Sequence, residues 1–148
     1  MGAVASGGIR VMNDEVLRMA HVGETEVQQV VERETRELER RERVYRGERP
    51  SVNVTGRSAV VVDDGIATGS SMIAAIRSLR PRGATRIVVA VPVAPTETLH
   101  RLADEADEVV CVVAPEPFHA ISLWYHAFPQ LEDAEVRQAL ENASTRPD

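Results

Sequence analysis

The chain has 148 residues, a formal net charge of −6 and a pI near 5.3, and its length suits one α/β domain with a core of its own. The acidic balance excludes a nonspecific nucleic-acid binder, whose affinity comes from surplus cations laid on the phosphate backbone. All 17 basic residues are Arg and none is Lys, which excludes chemistry that needs an ammonium group: a Walker A loop, a Schiff base, a Ser-Lys dyad.

The opening MGAVAS fits the pattern for myristoylation at Gly2, but no polybasic second signal follows it. No apolar run reaches transmembrane length and no charged-then-apolar leader is present, so the expectation is a cytoplasmic protein with no membrane partner. Residues 3–12, AVASGGIRVM, predict a hairpin turning on Gly7 and Gly8. A polar helix is predicted from Thr25 to Arg46, with Thr25 and Gln28 at capping-box spacing and Gly47 and Pro50 as stop signals. Four Glu residues precede an Arg by four positions (Glu32–Arg36, Glu37–Arg41, Glu39–Arg43, Glu42–Arg46), each pair worth about 0.2–0.5 kcal/mol. Val27, Val31, Leu38 and Tyr45 make only a thin apolar stripe. Such a helix reads as a solvated arm across the domain, with a contact between two copies in a homodimer as the alternative. Its arginines are also able to reach an anionic ligand.

Beyond a turn at Thr55 and Gly56 the pattern changes. Ala59–Val62 is a continuous β-branched run of the kind buried on both faces of a parallel sheet. A helix follows from about Gly69 to Leu79, with Met72, Ile73, Ile76 and Leu79 on one face and Pro81 and Gly83 ending it. Ile87–Val91 and Val109–Val113 repeat the strand pattern around a helix opened by Pro95 and Thr96 and reaching about Glu105. The βαβαβ alternation predicts an α/β domain built on a mostly parallel twisted sheet, with right-handed crossovers and ligands bound beyond the carboxyl ends of the strands. Cys111, inside VVCVVA, reads as a small buried hydrophobe. Residues 115–148 hold most of the aromatics and a last helix from about Asp133 to Ala143.

The informative stretch is AVVVDDGIATGSSM, residues 59–72: a strand, two adjacent carboxylates at its end, a loop with a glycine and three hydroxyls, and a helix start. Unsatisfied N–H groups at a helix start, with Ala67, Thr68, Gly69, Ser70 and Ser71 around them, cradle a phosphate, and Gly69 lets the backbone come close. Two acids beside an anion need something between them that prefers negative charge. A ribose meets that need, because its vicinal hydroxyls donate to the carboxylates while its 5-phosphate reaches the loop.

Here the residues resemble a known family. DDGIATGSS preceded by AVVV is similar to the signature of type I phosphoribosyltransferases: a hydrophobic strand, two acids, two variable residues, and a small-Thr-Gly-x-Ser/Thr loop. The resemblance implies a three-layer fold of phosphoribosyltransferase type, one domain over residues 1–148, with a hairpin and helical arm (1–50), a core with the site (51–114) and an aromatic loop with a carboxyl-terminal helix (115–148). It implies that Asp63 and Asp64 contact the ribose hydroxyls of phosphoribosyl pyrophosphate and act in catalysis. Residues 63–71 (Asp63, Asp64, Gly65, Ile66, Ala67, Thr68, Gly69, Ser70, Ser71) would form its binding segment. Mg²⁺ would be held mainly by the ligand's oxygens and not directly by protein. The reaction implied is displacement of pyrophosphate at the anomeric carbon by an acceptor base or amine. The chain also resembles the last two-thirds of a group of stand-alone bacterial phosphoribosyltransferase-domain proteins, through GAVASGG, the Arg-Glu helix, VYRGERP and the site motif in that order. Two departures matter. Ala67 stands where hypoxanthine-guanine members carry an acid, which points away from a 6-oxopurine acceptor. Nothing before Ala59 fits the family's Gly-rich pyrophosphate loop, so a regulatory module that binds phosphoribosyl pyrophosphate or a nucleotide, or an inactive fragment, is the alternative.

Phe118, just after Pro115–Pro117, is the candidate for stacking an acceptor base, while Trp124 reads as a core residue. His119 and His126 have no metal-site spacing, and His21 and His100 read as surface residues. The bland reading of 59–71 is a strand–loop–helix crossover whose Ser and Thr merely cap a helix.

Overall fold

The structure, a computed structural model, describes residues 2–144. Strands β1 (Gly2–Ala5) and β2 (Ile9–Met12) pair antiparallel, with Ala5 opposite Ile9. Gly7 at φ +83° and Gly8 at φ +77° turn the hairpin as expected. A short helix, α1 (Asp14–Met19), follows without having been anticipated; the Asn13 side chain caps it by accepting from Val16 N at 3.1 Å.

The arm is α2 (Glu24–Arg46), whose amino-terminal cap is Gly23, not Thr25, so the capping box does not form. Gly47, at φ +59°, closes it. Three of the four expected pairs form: Glu32–Arg36 at 3.7 Å, Glu37–Arg41 at 2.8 Å and Glu42–Arg46 at 3.8 Å. Arg40 takes Glu37 as well, at 2.8 Å, and with Arg41 holds that carboxyl down at about 2. No residue of α2 is buried. The helix lies over β1 and against α5 (Asp133–Ser144).

The arm and α5 meet through one carboxylate. Arg40 Nη1 donates to Asp133 Oδ2 at 2.7 Å, and the Tyr45 hydroxyl donates to Asp133 Oδ1 at 2.6 Å. Arg40 first, then Tyr45, holds the Asp133 carboxyl below its ordinary range. A depressed carboxylate contributes stability above its unfolded pKa and loses it as pH falls through the folded value. Acidification through and below the carboxylate range is therefore expected to release α5 from α2, sooner at high salt. Amide exchange in α5 followed against pH will show this in the wild type, and Asp133→Asn will start from the released state.

The core is β3 (Ser58–Val62), α3 (Ser70–Leu79), β4 (Arg86–Val93), α4 (Thr96–Ala103) and β5 (Glu108–Val113), with parallel strands in the order β3-β4-β5. Ile87 and Val89 of β4 are fully buried against Met72, Ile73 and Ile76 of α3, Leu102 of α4 and Val11 of the hairpin. Each such side chain contributes about 1.5–3 kcal/mol through burial. The layers are the sheet, then α3 and α4 with the hairpin, then the outer arm with α5. The α/β class and the parallel sheet agree with the sequence reading.

One expectation is corrected. β3 is an edge strand, and among the described residues only one face of the sheet is covered: Val60 is 62%, Val62 71%, Val110 46% and Val112 78% exposed. The reason is topological. Each new strand is added on the same side of the last, so each right-handed crossover lays its helix on the same face. A helix on the far face requires the strand order to reverse, and β3-β4-β5 does not reverse. A contiguous apolar face of this kind drives association. The protein is expected to self-associate at micromolar concentration and to bind a hydrophobic dye, and Val62→Glu with Val112→Glu is expected to reduce both, measured by light scattering and fluorescence.

Candidate functional site

The segment after β3 runs along the carboxyl ends of the strands, tied down at each step. Ile66 N donates to Val93 O, at the end of β4, at 2.9 Å. A Cβ on Gly65 would lie 2.7 Å from Ile121 Cγ2 and 3.0 Å from Val93 Cγ1, so only glycine fits there. Gly69 is left-handed at φ +74°, and a Cβ on it would lie 2.9 Å from Thr98 Cγ2. It caps α3 without any side-chain hydrogen bond, in contrast to Asn13 at α1.

Helix α4 aims the loop. The Thr98 hydroxyl donates to Ala67 O at 2.8 Å, and Arg101 Nη1 donates to Thr68 O at 3.3 Å. In a trans peptide C=O and N–H point in opposite directions, so the amides of Thr68 and Gly69 face away from α4. The first-turn amides of α3 have no intrahelical acceptor either. The result is a bend whose donors turn outward, with the exposed side chains of Thr68 and Ser71 beside it and Ser70 buried beneath. The Arg101 guanidinium adds a positive charge on the loop's carbonyl side, and the arrangement suits a dianion.

Asp63 and Asp64 stand side by side at the exposed tip of β3. Asp63 Oδ1 accepts from Asp64 N at 3.0 Å. Partial burial raises the Asp63 carboxyl above its ordinary value; the bond from the Asp64 amide opposes this and the Asp64 charge adds to it. The Asp64 carbonyl accepts from the Tyr125 hydroxyl at 2.5 Å. The tip therefore offers two carboxylates, and among the described residues no third His, Cys, Asp or Glu joins them in a cluster.

The expected segment from Asp63 to Ser71 thus runs as one stretch with the acids exposed at one end and the outward amides at the other, while Gly65, Ile66, Gly69 and Ser70 are buried along it. Nothing in the local sequence marked Thr98, Arg101 or Ile121, and Tyr125 stood out only as one of the aromatics after the last core strand; they reach the segment from 31 to 61 positions away and carry no motif. Phe118 is half-buried just past the cis Glu116–Pro117 bond. Trp124 corrects the sequence reading: it is 46% exposed and not a core residue, because the segment from 115 on crosses the open strand ends. Tyr125 and Phe128 form the ring pair there, with centroids 5.2 Å apart. Cys111 is half-buried and packs against the core. A cavity of about 430 Å³ between the hairpin and the arm touches the loop through Ser71, but the acid pair does not line it.

Comparison with known proteins places this geometry in a family. The sequence model described as "Phosphoribosyl transferase domain" matches residues 3–123. Two Mycobacterium tuberculosis proteins, named "Putative phosphoribosyl transferase MT0597" and "Putative phosphoribosyl transferase Rv0571c", are each 42% identical over 142 residues, covering 96% of this chain and 32% of theirs. The crystal structure of TT1426 from Thermus thermophilus superposes with a TM-score of 0.74 at 38% identity, covering 95% of this chain and 66% of that one. The chain thus spans about a third of its mycobacterial relatives and about two-thirds of the Thermus protein. With the family match covering most of its length and the strand tip, loop and sheet arranged as described, the chain belongs to the phosphoribosyl transferase domain family.

Proposed function

We propose that this chain binds phosphoribosyl pyrophosphate at residues 63–71 and, in the protein it serves, transfers ribose 5-phosphate to a base or amine with release of pyrophosphate. The observation that carries the reading is the placement of two carboxylates and an outward-facing amide bend along one strand end, braced independently by Tyr125 and by α4. A phosphate on the bend puts the ribose hydroxyls over Asp63 and Asp64, where charge-assisted hydrogen bonds hold them. As the bond to pyrophosphate breaks, positive charge builds on the sugar ring, and fixed carboxylates beneath it lower the barrier by electrostatics and position alone. Asp63 and Asp64 would stand beside a Mg²⁺ held mainly by the ligand's own oxygens, and such an ion would neutralise charge on the leaving pyrophosphate. Phe118 is the proposed stacking surface for the acceptor.

A non-catalytic binding module is the second reading, favoured by the open setting of the acid pair, which is exposed and does not line the cavity between the hairpin and the arm. Calorimetry with phosphoribosyl pyrophosphate and Mg²⁺ tests binding, and pyrophosphate release across a panel of bases and amines separates enzyme from module. Flat calorimetric traces defeat both readings.

A further inference from the structure

The acid pair hangs from an edge strand, and its orientation is set by a segment far along the chain. Asp63 leans on the Asp64 amide, and the Asp64 side chain follows its own backbone, so both carboxylates follow the setting of one stretch of main chain. That stretch is gripped from the 115–128 segment at two points. Ile121, in the single-turn helix Ile121–Trp124, packs against Gly65 where no Cβ could fit. The Tyr125 hydroxyl, 61 positions from its acceptor, donates to the Asp64 carbonyl at 2.5 Å, and its ring rests on Phe128. The phosphate bend, by contrast, is braced by Thr98 and Arg101 of α4 and owes nothing to Tyr125.

We propose that Tyr125 is a positioning residue for the acid pair, setting the carboxylates for the sugar while leaving the phosphate bend to α4. The proposal rests on the ribose-phosphate reading above. In this role Tyr125 touches neither sugar nor pyrophosphate. Without its hydroxyl the Asp64 carbonyl turns to water, the Asp64–Gly65 peptide gains freedom to rotate, and ligand binding must then order it.

The division of labour makes the test selective. Ribose 5-phosphate and inorganic phosphate are titrated separately into wild type and Tyr125→Phe by NMR, with amide exchange at Gly65 and Ile66 followed in the free protein. Tyr125→Phe, which keeps the ring and its contact with Phe128, is expected to weaken ribose 5-phosphate roughly three- to tenfold, to speed exchange at Gly65 and Ile66, and to leave phosphate affinity and the melting temperature as they were. Phe128→Leu, which spares the hydroxyl, is expected to keep ribose 5-phosphate affinity. Unchanged ribose 5-phosphate binding in Tyr125→Phe overturns the role of Tyr125 while the site reading stands. Equal loss of both ligands overturns it as general damage. A wild type that binds inorganic phosphate but gains nothing from the ribose defeats the site reading itself, and the proposal with it.

Discussion

Replacing Asp63 and Asp64 together by Asn is expected to abolish the calorimetric signal of phosphoribosyl pyrophosphate with Mg²⁺ while raising the stability of the ligand-free protein. Each lost charge-assisted hydrogen bond costs about 1.5–3 kcal/mol, so the pair accounts for roughly two to four orders of magnitude in affinity. The stability gain comes from Asp63. Its carboxyl is raised chiefly by partial burial, and a raised acid favours folding only while protonated. That contribution is full below the unfolded pKa and is lost as pH rises through the folded value. At neutral pH the ionised group therefore works against folding, and Asp63→Asn alone is expected to raise the melting temperature there and to flatten its fall with pH just above the ordinary carboxylate range. Opposite signs for binding and stability mark a group kept for its ligand, and a variant that lost both would assign Asp63 to structure instead.

The second large effect is expected at Gly69. Gly69→Ala puts a side chain on a left-handed residue, at about 1–2 kcal/mol, and drives its Cβ to within 2.9 Å of the Thr98 methyl. Thr98 is the residue that holds the Ala67 carbonyl, so the strain is delivered to the brace that turns the loop amides outward. A fall of several degrees in melting temperature with at least a tenfold loss of phosphate affinity is expected. Gly56→Ala supplies the comparison, because Gly56 is also left-handed at φ +71° but has nothing within 4 Å of its Cβ position and lies at the far end of β3. It is expected to lose stability from backbone strain and to bind phosphate normally. Thermal melts and phosphate titrations of both variants decide the matter, and equal phosphate affinity in the two would remove Gly69 from the site.

The hairpin, the arm, the βαβαβ core and the strand–loop–helix course of the candidate segment 63–71 were legible in the amino-acid order, since each rests on local physics: glycines that accept positive φ, the spacing of apolar residues along a helix, β-branched runs, and a helix start rich in hydroxyls. Four things were decided only by the tertiary structure. Val60 and Val62 are exposed because strand order and crossover hand place both helices on one face, a property of the whole sheet that no five-residue run records. Trp124 faces solvent because the chain that carries it crosses the open strand ends. The arm starts from Gly23 and not Thr25, with no side-chain cap, so the capping-box spacing of Thr25 and Gln28 goes unused. The braces on the candidate segment come from Thr98, Arg101 and Tyr125, whose bonds to Ala67, Thr68 and Asp64 close over long stretches of chain and end on backbone carbonyls. A carbonyl is present at every residue, so a bond to one leaves no mark on the partner's identity, whereas the carboxylates and glycines of the candidate segment are side-chain identities that the sequence states directly.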